Sequence, residues 1–169
     1  MDWTIFYGAT AGAAATLIGL LFIAIQLHID TLSSDPNYSR WRALARSTFD
    51  HYVALFFVSL LMLIPSGNFA LFVMIVALPG IVRLLRNWIP VWRRMFRDRR
   101  ERIVEVIWLV ASPLAVYLAM AFFALRMLRS DPSPEPQRDL AYCVVGLFAN
   151  VLRNSWKLMI EIASDRRAV

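Results

Sequence analysis

The chain has 169 residues, enough for one domain. Apolar residues make up 59% of it and charged residues 18%, against about 45–50% and about 25% in soluble domains. A soluble protein of this size has too little interior to hide so much apolar surface, so the composition points to an all-α, polytopic transmembrane helical bundle, with lipid as solvent for part of the chain.

The net charge is +6 and the pI is near 10.2. Lys157 is the only lysine, so arginine carries nearly all of the positive charge. A bacterial cytoplasmic (inner) membrane is the expected location. Cytoplasmic loop bias and attraction to anionic lipid account for such charge. The arginines and aromatics follow no nucleic-acid module, so nucleic acid is not an expected partner. Cys143 is the only cysteine and lies in an apolar run, where a thiol behaves as a small hydrophobe. His28 and His51 lack the spacing of a metal motif. No metal or cofactor is expected.

Five apolar segments are predicted to cross the bilayer within a single domain, 1–169. A spanning helix needs about 20 mostly apolar residues. Span one covers 5–27; its apolar stretch is too long for a cleavable signal and no basic residue precedes it. Span two covers 49–64 and stops at the turn signature Pro65-Ser66-Gly67-Asn68. Its helix is expected to begin earlier, because Asp35-Pro36 has the pattern of an N-cap followed by proline.

Span three covers 69–82, and Pro79-Gly80 predicts a kink or early termination there. The short connection makes spans two and three an antiparallel hairpin. Span four covers 103–125, with Pro113 near its middle, and span five covers 140–163.

Orientation follows from the positive-inside rule. The basic segment 83–102 carries Arg83, Arg86, Arg93, Arg94, Arg97, Arg99, Arg100 and Arg102 against Asp98 and Glu101. Arg40, Arg42 and Arg46 precede span two, and Arg166 and Arg167 lie in the tail. Five spans place all of these on the cytoplasmic side, with the N-terminus out and the C-terminus in. Arg126, Arg129 and Arg138 fall on the opposite side, so the asymmetry is incomplete. Four spans result if 69–82 is re-entrant. Trp3, Trp41, Trp88, Trp92 and Trp108 fall near predicted interfaces, where aromatic rings anchor. Asn87 to Arg102 alternates apolar and basic residues, as an interfacial amphipathic helix or a cytoplasmic extension of span four would.

Three patterns are candidates for function. Gly8 and Gly12 form a GxxxG in span one, with Ala11, Ala15 and Gly19 at similar spacing. Such a face serves either tight packing inside one subunit or a contact between subunits. In span five, Asn150, Arg153, Asn154, Lys157 and Glu161 recur at three- and four-residue steps, which collects them on one side. Intramembrane ionisable groups usually face a partner or a water-filled cavity. At the cytoplasmic end of span one, Gln26 and His28 are placed to meet Glu161.

No GxSxG, P-loop or HExxH pattern occurs, so an enzyme is not expected. Asp50-His51 is the only acid–histidine neighbour at the start of a span, and adjacent helical residues point in different directions. The expected function is that of a self-associating membrane protein. One form is an oligomeric pore or ion channel with Asn150, Arg153, Asn154 and Lys157 toward the lumen, where a ring of cations favours anions. The alternative is a scaffold or modulator that holds anionic lipid or a protein partner through the arginines of 83–102.

The stretch from Phe6 to Asp30, FYGATAGAAATLIGLLFIAIQLHID, resembles a family of small bacterial membrane proteins in which a Gly/Ala-rich start leads into a "tLxGLlFvA" core. Leu63-Ile64-Pro65 and the run NSWKLMIE from Asn154 to Glu161 are similar to that family as well. The resemblance implies a polytopic membrane protein without known enzyme activity and carries no catalytic residues. Some members are labelled modulators of an AAA-type membrane protease.

Overall fold

The computed structural model describes residues 3–27, 39–64, 69–95, 110–129 and 136–165, the side chains of 39–43, 87–95, 136 and 161–165 excepted. Among the described residues there are five helices and no strand: α1 Trp3–Leu27, α2 Ser39–Leu61, α3 Phe69–Met95, α4 Ser112–Leu128 and α5 Pro136–Asp165. Two stretches, Trp3–Leu27 and Phe69–Arg86, are long and apolar enough to cross a membrane.

Local chemistry explains most of the boundaries. α2 tightens at its end, where Leu63 N–H donates to Leu60 O and Ile64 N–H to Leu61 O, the i→i+3 bonding usual in a last turn. α2 begins well before the apolar run, as expected, although Asp35 and Pro36 lie outside the described residues. α5 starts on Pro136, whose missing N–H costs nothing at a first helical position. In α1, the Thr10 and Thr16 hydroxyls donate to the carbonyls of Phe6 and Gly12, one turn back. That bond allows a hydroxyl on an otherwise apolar helix.

Of the kink or early termination expected at Pro79-Gly80, early termination does not occur. α3 does not end at Pro79-Gly80; it continues as helix to Met95. The segment from Asn87 to Met95 is therefore an extension of α3, neither a separate interfacial helix nor a lead-in to α4. Pro79 is exposed and needs no partner inside the bundle. Pro113 is the second residue of the regular run Ser112–Leu128, and the backbone at Val110 and Ala111 before it is a wider π-type turn. The residues of span four before Val110 lie outside the described residues.

Helices adjacent in the chain pack against one another, and α2 also meets α5 across the bundle. α1 touches α5 only lightly. The Tyr7 hydroxyl donates to the Gln137 carbonyl at 2.6 Å, which sets the beginnings of α1 and α5 side by side. Leu55, Val73, Met120, Leu140, Leu147 and Val151 are essentially without exposure and form the centre of the core.

α3 and α4 approach closely because Gly80 has no side chain. A Cβ at Gly80 would lie 2.8 Å from Cε1 of the Tyr117 ring. Gly146 is milder, since a Cβ there would meet Cγ2 of Val116 at 3.3 Å. Gly80→Ala is accordingly expected to destabilise the fold by about 1–3 kcal/mol through overpacking. Gly146→Ala should cost less. Thermal unfolding of both variants in detergent measures the difference, and an equal effect would contradict the packing account.

Candidate functional site

Polar residues of α2 line the inside of the bundle. Thr48, His51 and Ser59 are fully buried, as is the body of Tyr52. The Thr48 hydroxyl donates to Leu44 O within the same helix. His51 and Tyr52 reach neighbouring helices, so α2 carries polar contacts into the interior of the bundle.

His51 and Tyr117 form the centre of one group. Nδ1 of His51 and the Tyr117 hydroxyl share a hydrogen bond of 2.9 Å between α2 and α4. Their rings lie 5.6 Å apart, tilted by 43°. Nε2 of His51 is 3.5 Å from the Ser47 hydroxyl, one turn back on α2; at that distance the contact is weak. The Tyr117 ring lies over Gly80 of α3. One turn further along α3, Arg83 pairs with Asp50 of α2 at 2.5 Å. Adjacent residues of α2 thus serve two partners: Asp50 holds α3 and His51 holds α4.

Ser47, His51 and Asp50 are the residue types of a hydrolytic triad, but their arrangement is different. A triad needs its carboxylate on the histidine ring, to fix the tautomer and stabilise the imidazolium. Here Asp50 is turned to Arg83 and a tyrosine occupies His51 Nδ1. Among the described residues no group of three or more His, Cys, Asp or Glu could hold a metal ion.

A second polar group lies between α2 and α5. The Tyr52 hydroxyl and Ser155 Oγ share a hydrogen bond of 3.0 Å. Asn150 and Asn154 face the same interior, and Asn150 Nδ2 donates to Gly146 O at 2.9 Å. The stripe expected on α5 therefore divides. Asn150 and Asn154 are buried within one subunit, Lys157 is half-buried, and Arg153 lies on the outside among exposed Leu152, Trp156 and Met159. The side chain of Glu161 and all of His28 lie outside the described residues, and with them the contact expected between those ends. Gln26 is exposed.

The small-residue face of α1 points outward. Gly8, Gly12, Ala15 and Gly19 are exposed, and only Ala11 of that group is buried. Of the arginines expected to hold lipid or a partner, Arg83 is engaged by Asp50 and Arg86 is exposed. The side chains of Arg93 and Arg94, and the whole of Arg97, Arg99, Arg100 and Arg102, lie outside the described residues.

Sequence reasoning missed Tyr117 and the pairing of Arg83. The signals were the adjacent Asp50-His51 and a glycine inside an apolar helix, which marks close approach. No protein-family model, no curated protein and no solved structure matches this chain. The family likeness of Phe6 to Asp30 therefore rests on those residues alone.

Tyr117→Phe should leave His51 Nδ1 without its partner and cost about 1–2 kcal/mol. The Asp50–Arg83 pair is 25–29% exposed, so Asp50→Asn should cost at most about 1 kcal/mol. Denaturation of the two single variants and the double variant checks both values. Because Asp50 and His51 are neighbours on α2 and hold it against two helices at once, the double variant is expected to depart from additivity.

Proposed function

We propose that the protein is a multi-pass integral membrane protein, without enzymatic activity, whose subunits self-associate. The observation that carries the membrane reading is the reversal of polarity between inside and outside. Ile5, Phe22, Leu27, Ile75, Val82, Phe122 and Ile160 are each at least half exposed, while His51, Ser59, Asn150 and Asn154 are buried. Monomeric soluble proteins rarely expose large contiguous apolar patches. Lipid favours this arrangement, since polar groups there need partners inside the protein. The exposure of α1 and of Phe69–Arg86 is what a lipid-facing helix requires and what the core helix of a soluble protein lacks. Five spans with the N-terminus out complete this reading. They rest on the arginine distribution.

Self-association is supported by the outward glycines of α1. A Cβ at Gly8, Gly12 or Gly19 would meet nothing within 4 Å. Among the described residues nothing packs on these glycines, which supports a contact between subunits as the reading of the GxxxG. A stripe without side chains gives another helix backbone a close approach that acyl chains do not match.

The pore is the more specific form of this reading, and it now has fewer candidate lining residues. Asn150 and Asn154 are turned into the bundle, so a lumen between subunits would be lined by Arg153 and in part by Lys157. The scaffold alternative rests on Arg86 and the basic residues beyond it, because Arg83 is paired with Asp50.

The test is Gly12→Ile. Because the position is open, the variant should fold as stably as the parent and lose crosslinked oligomer in membranes. Retained oligomer with an unchanged fold would falsify the α1 contact. Ion flux in liposomes, abolished by Arg153→Ala and Lys157→Ala, is the outcome expected of the pore form. No flux, with a crosslinked partner lost on neutralising Arg86 and the arginines after it, favours the scaffold.

A further inference from the structure

Among the described residues, three buried side-chain polar atoms lack a hydrogen-bond partner: Ser59 Oγ, Asn150 Oδ1 and Asn154 Nδ2. Ser59 is fully buried, and Asn150 and Asn154 are each 4% exposed. Unmade hydrogen bonds at such positions are costly, and buried polar groups that protein cannot satisfy are commonly satisfied by ordered water.

The three atoms are chemically complementary. Asn150 Nδ2 donates to Gly146 O, which fixes the amide and leaves Oδ1 as a free acceptor. Asn154, one turn along α5, presents a free donor. The Ser59 hydroxyl either donates or accepts. Residues four apart on a helix have Cβ atoms about 5–6 Å apart, a separation that one water bridges with two hydrogen bonds. Tyr52 and Ser59, two turns apart, share a face of α2. The Tyr52–Ser155 bond shows that this face meets α5.

We infer that a water molecule is bound in the seam between α2 and α5, accepting from Asn154 Nδ2 and donating to Asn150 Oδ1, with Ser59 as its third partner. An acceptor, a donor and a hydroxyl, none of them charged, suit a neutral guest that both donates and accepts better than an ion. Water enters from the Ser155 end, where Ser155 and Lys157 are half-buried. Toward the other end, Leu140, Val144 and Leu147 are closed to within 1% exposure. The seam is therefore a pocket reached from one face of the bundle, not a channel through it. The sidedness rests on the membrane reading; the bound water does not.

Two measurements test the site. In a Cys143→Ala background, Asn154→Cys and Leu147→Cys are exposed in vesicles to a small charged thiosulfonate applied to either membrane face. Asn154→Cys is expected to react from the face that carries Lys157 and not from the other, while Leu147→Cys stays unlabelled. Labelling of Asn154→Cys from neither face, or equal labelling of Leu147→Cys, overturns the pocket. In the unmodified chain, asparagine-labelled and held in detergent, the Asn154 side-chain amide protons should show an NMR cross-peak to water. Its absence overturns the bound water regardless of whether the cysteine variants fold, and this second measurement does not depend on the membrane reading.

Discussion

The close approach of α4 to α3 at Gly80 sets the geometry on which the other interhelical contacts depend. The Tyr117 ring occupies the volume that any side chain at position 80 would need. With the ring there, its hydroxyl reaches His51 of α2, and three helices meet at one point. On the proposed membrane reading, lipid supplies no hydrophobic driving force between helices, so their association depends on shape and interhelical hydrogen bonds. A ring over a glycine supplies the first and the His51–Tyr117 bond the second. The Asp50–Arg83 pair, one turn further along α3, fixes how α2 and α3 are rotated against each other. A rotation of α2 that improved one of these contacts would break the other, because Asp50 and His51 are neighbours on the same helix. This coupling specifies a single arrangement of the three helices more strongly than either contact does alone.

α2 has the composition of a helix that depends on its neighbours. It places Thr48, His51, Tyr52 and Ser59 in the interior, and it packs on α1, α3 and α5. Its polar groups are matched in different ways. Thr48 is satisfied within its own helix, His51 by α4 and Tyr52 by α5. Of these four, only Ser59 has no protein partner, as is also true of Asn150 Oδ1 and Asn154 Nδ2 on α5. The protein thus meets its polar requirements with short pairwise contacts and leaves one place where solvent completes them.

The helical class and most of the helix extents were legible in the sequence because they depend on local composition and hydropathy. Early termination at Pro79-Gly80 was one of two readings of that dipeptide, and it fails because helix continues on both sides of Gly80, where the contact with Tyr117 makes a glycine necessary. Arg83 was counted with the basic segment because charge counting ignores that α3 continues through it and turns this residue toward Asp50. On α5, three- and four-residue spacing groups Asn150, Arg153, Asn154, Lys157 and Glu161 on one side of the helix, and the side chain of Glu161 lies outside the described residues. Periodicity does not say where the burial boundary crosses that side, and it falls between Asn150 and Asn154 on one hand and Arg153 on the other. Asp50-His51 was judged weak because neighbours diverge on a helix. The divergence is real, and it is what lets one step of α2 contact both α3 and α4.

The position of the glycine face limits what kind of assembly it can build. When the same patch meets itself in two copies, the contact is isologous and closes as a dimer, with α1 at the axis. α1 touches α5 only lightly, and Arg153 points outward with Leu152 and Trp156, so a dimer closed through α1 does not bring the α5 outer faces together around a lumen. A pore lined by Arg153 needs a second, heterologous contact that the glycine face does not supply. The polar interior of each subunit is likewise closed without a neighbour, apart from the hydrated seam. The proposed self-association through α1 and the proposed hydration between α2 and α5 therefore rest on separate features, and neither requires the other.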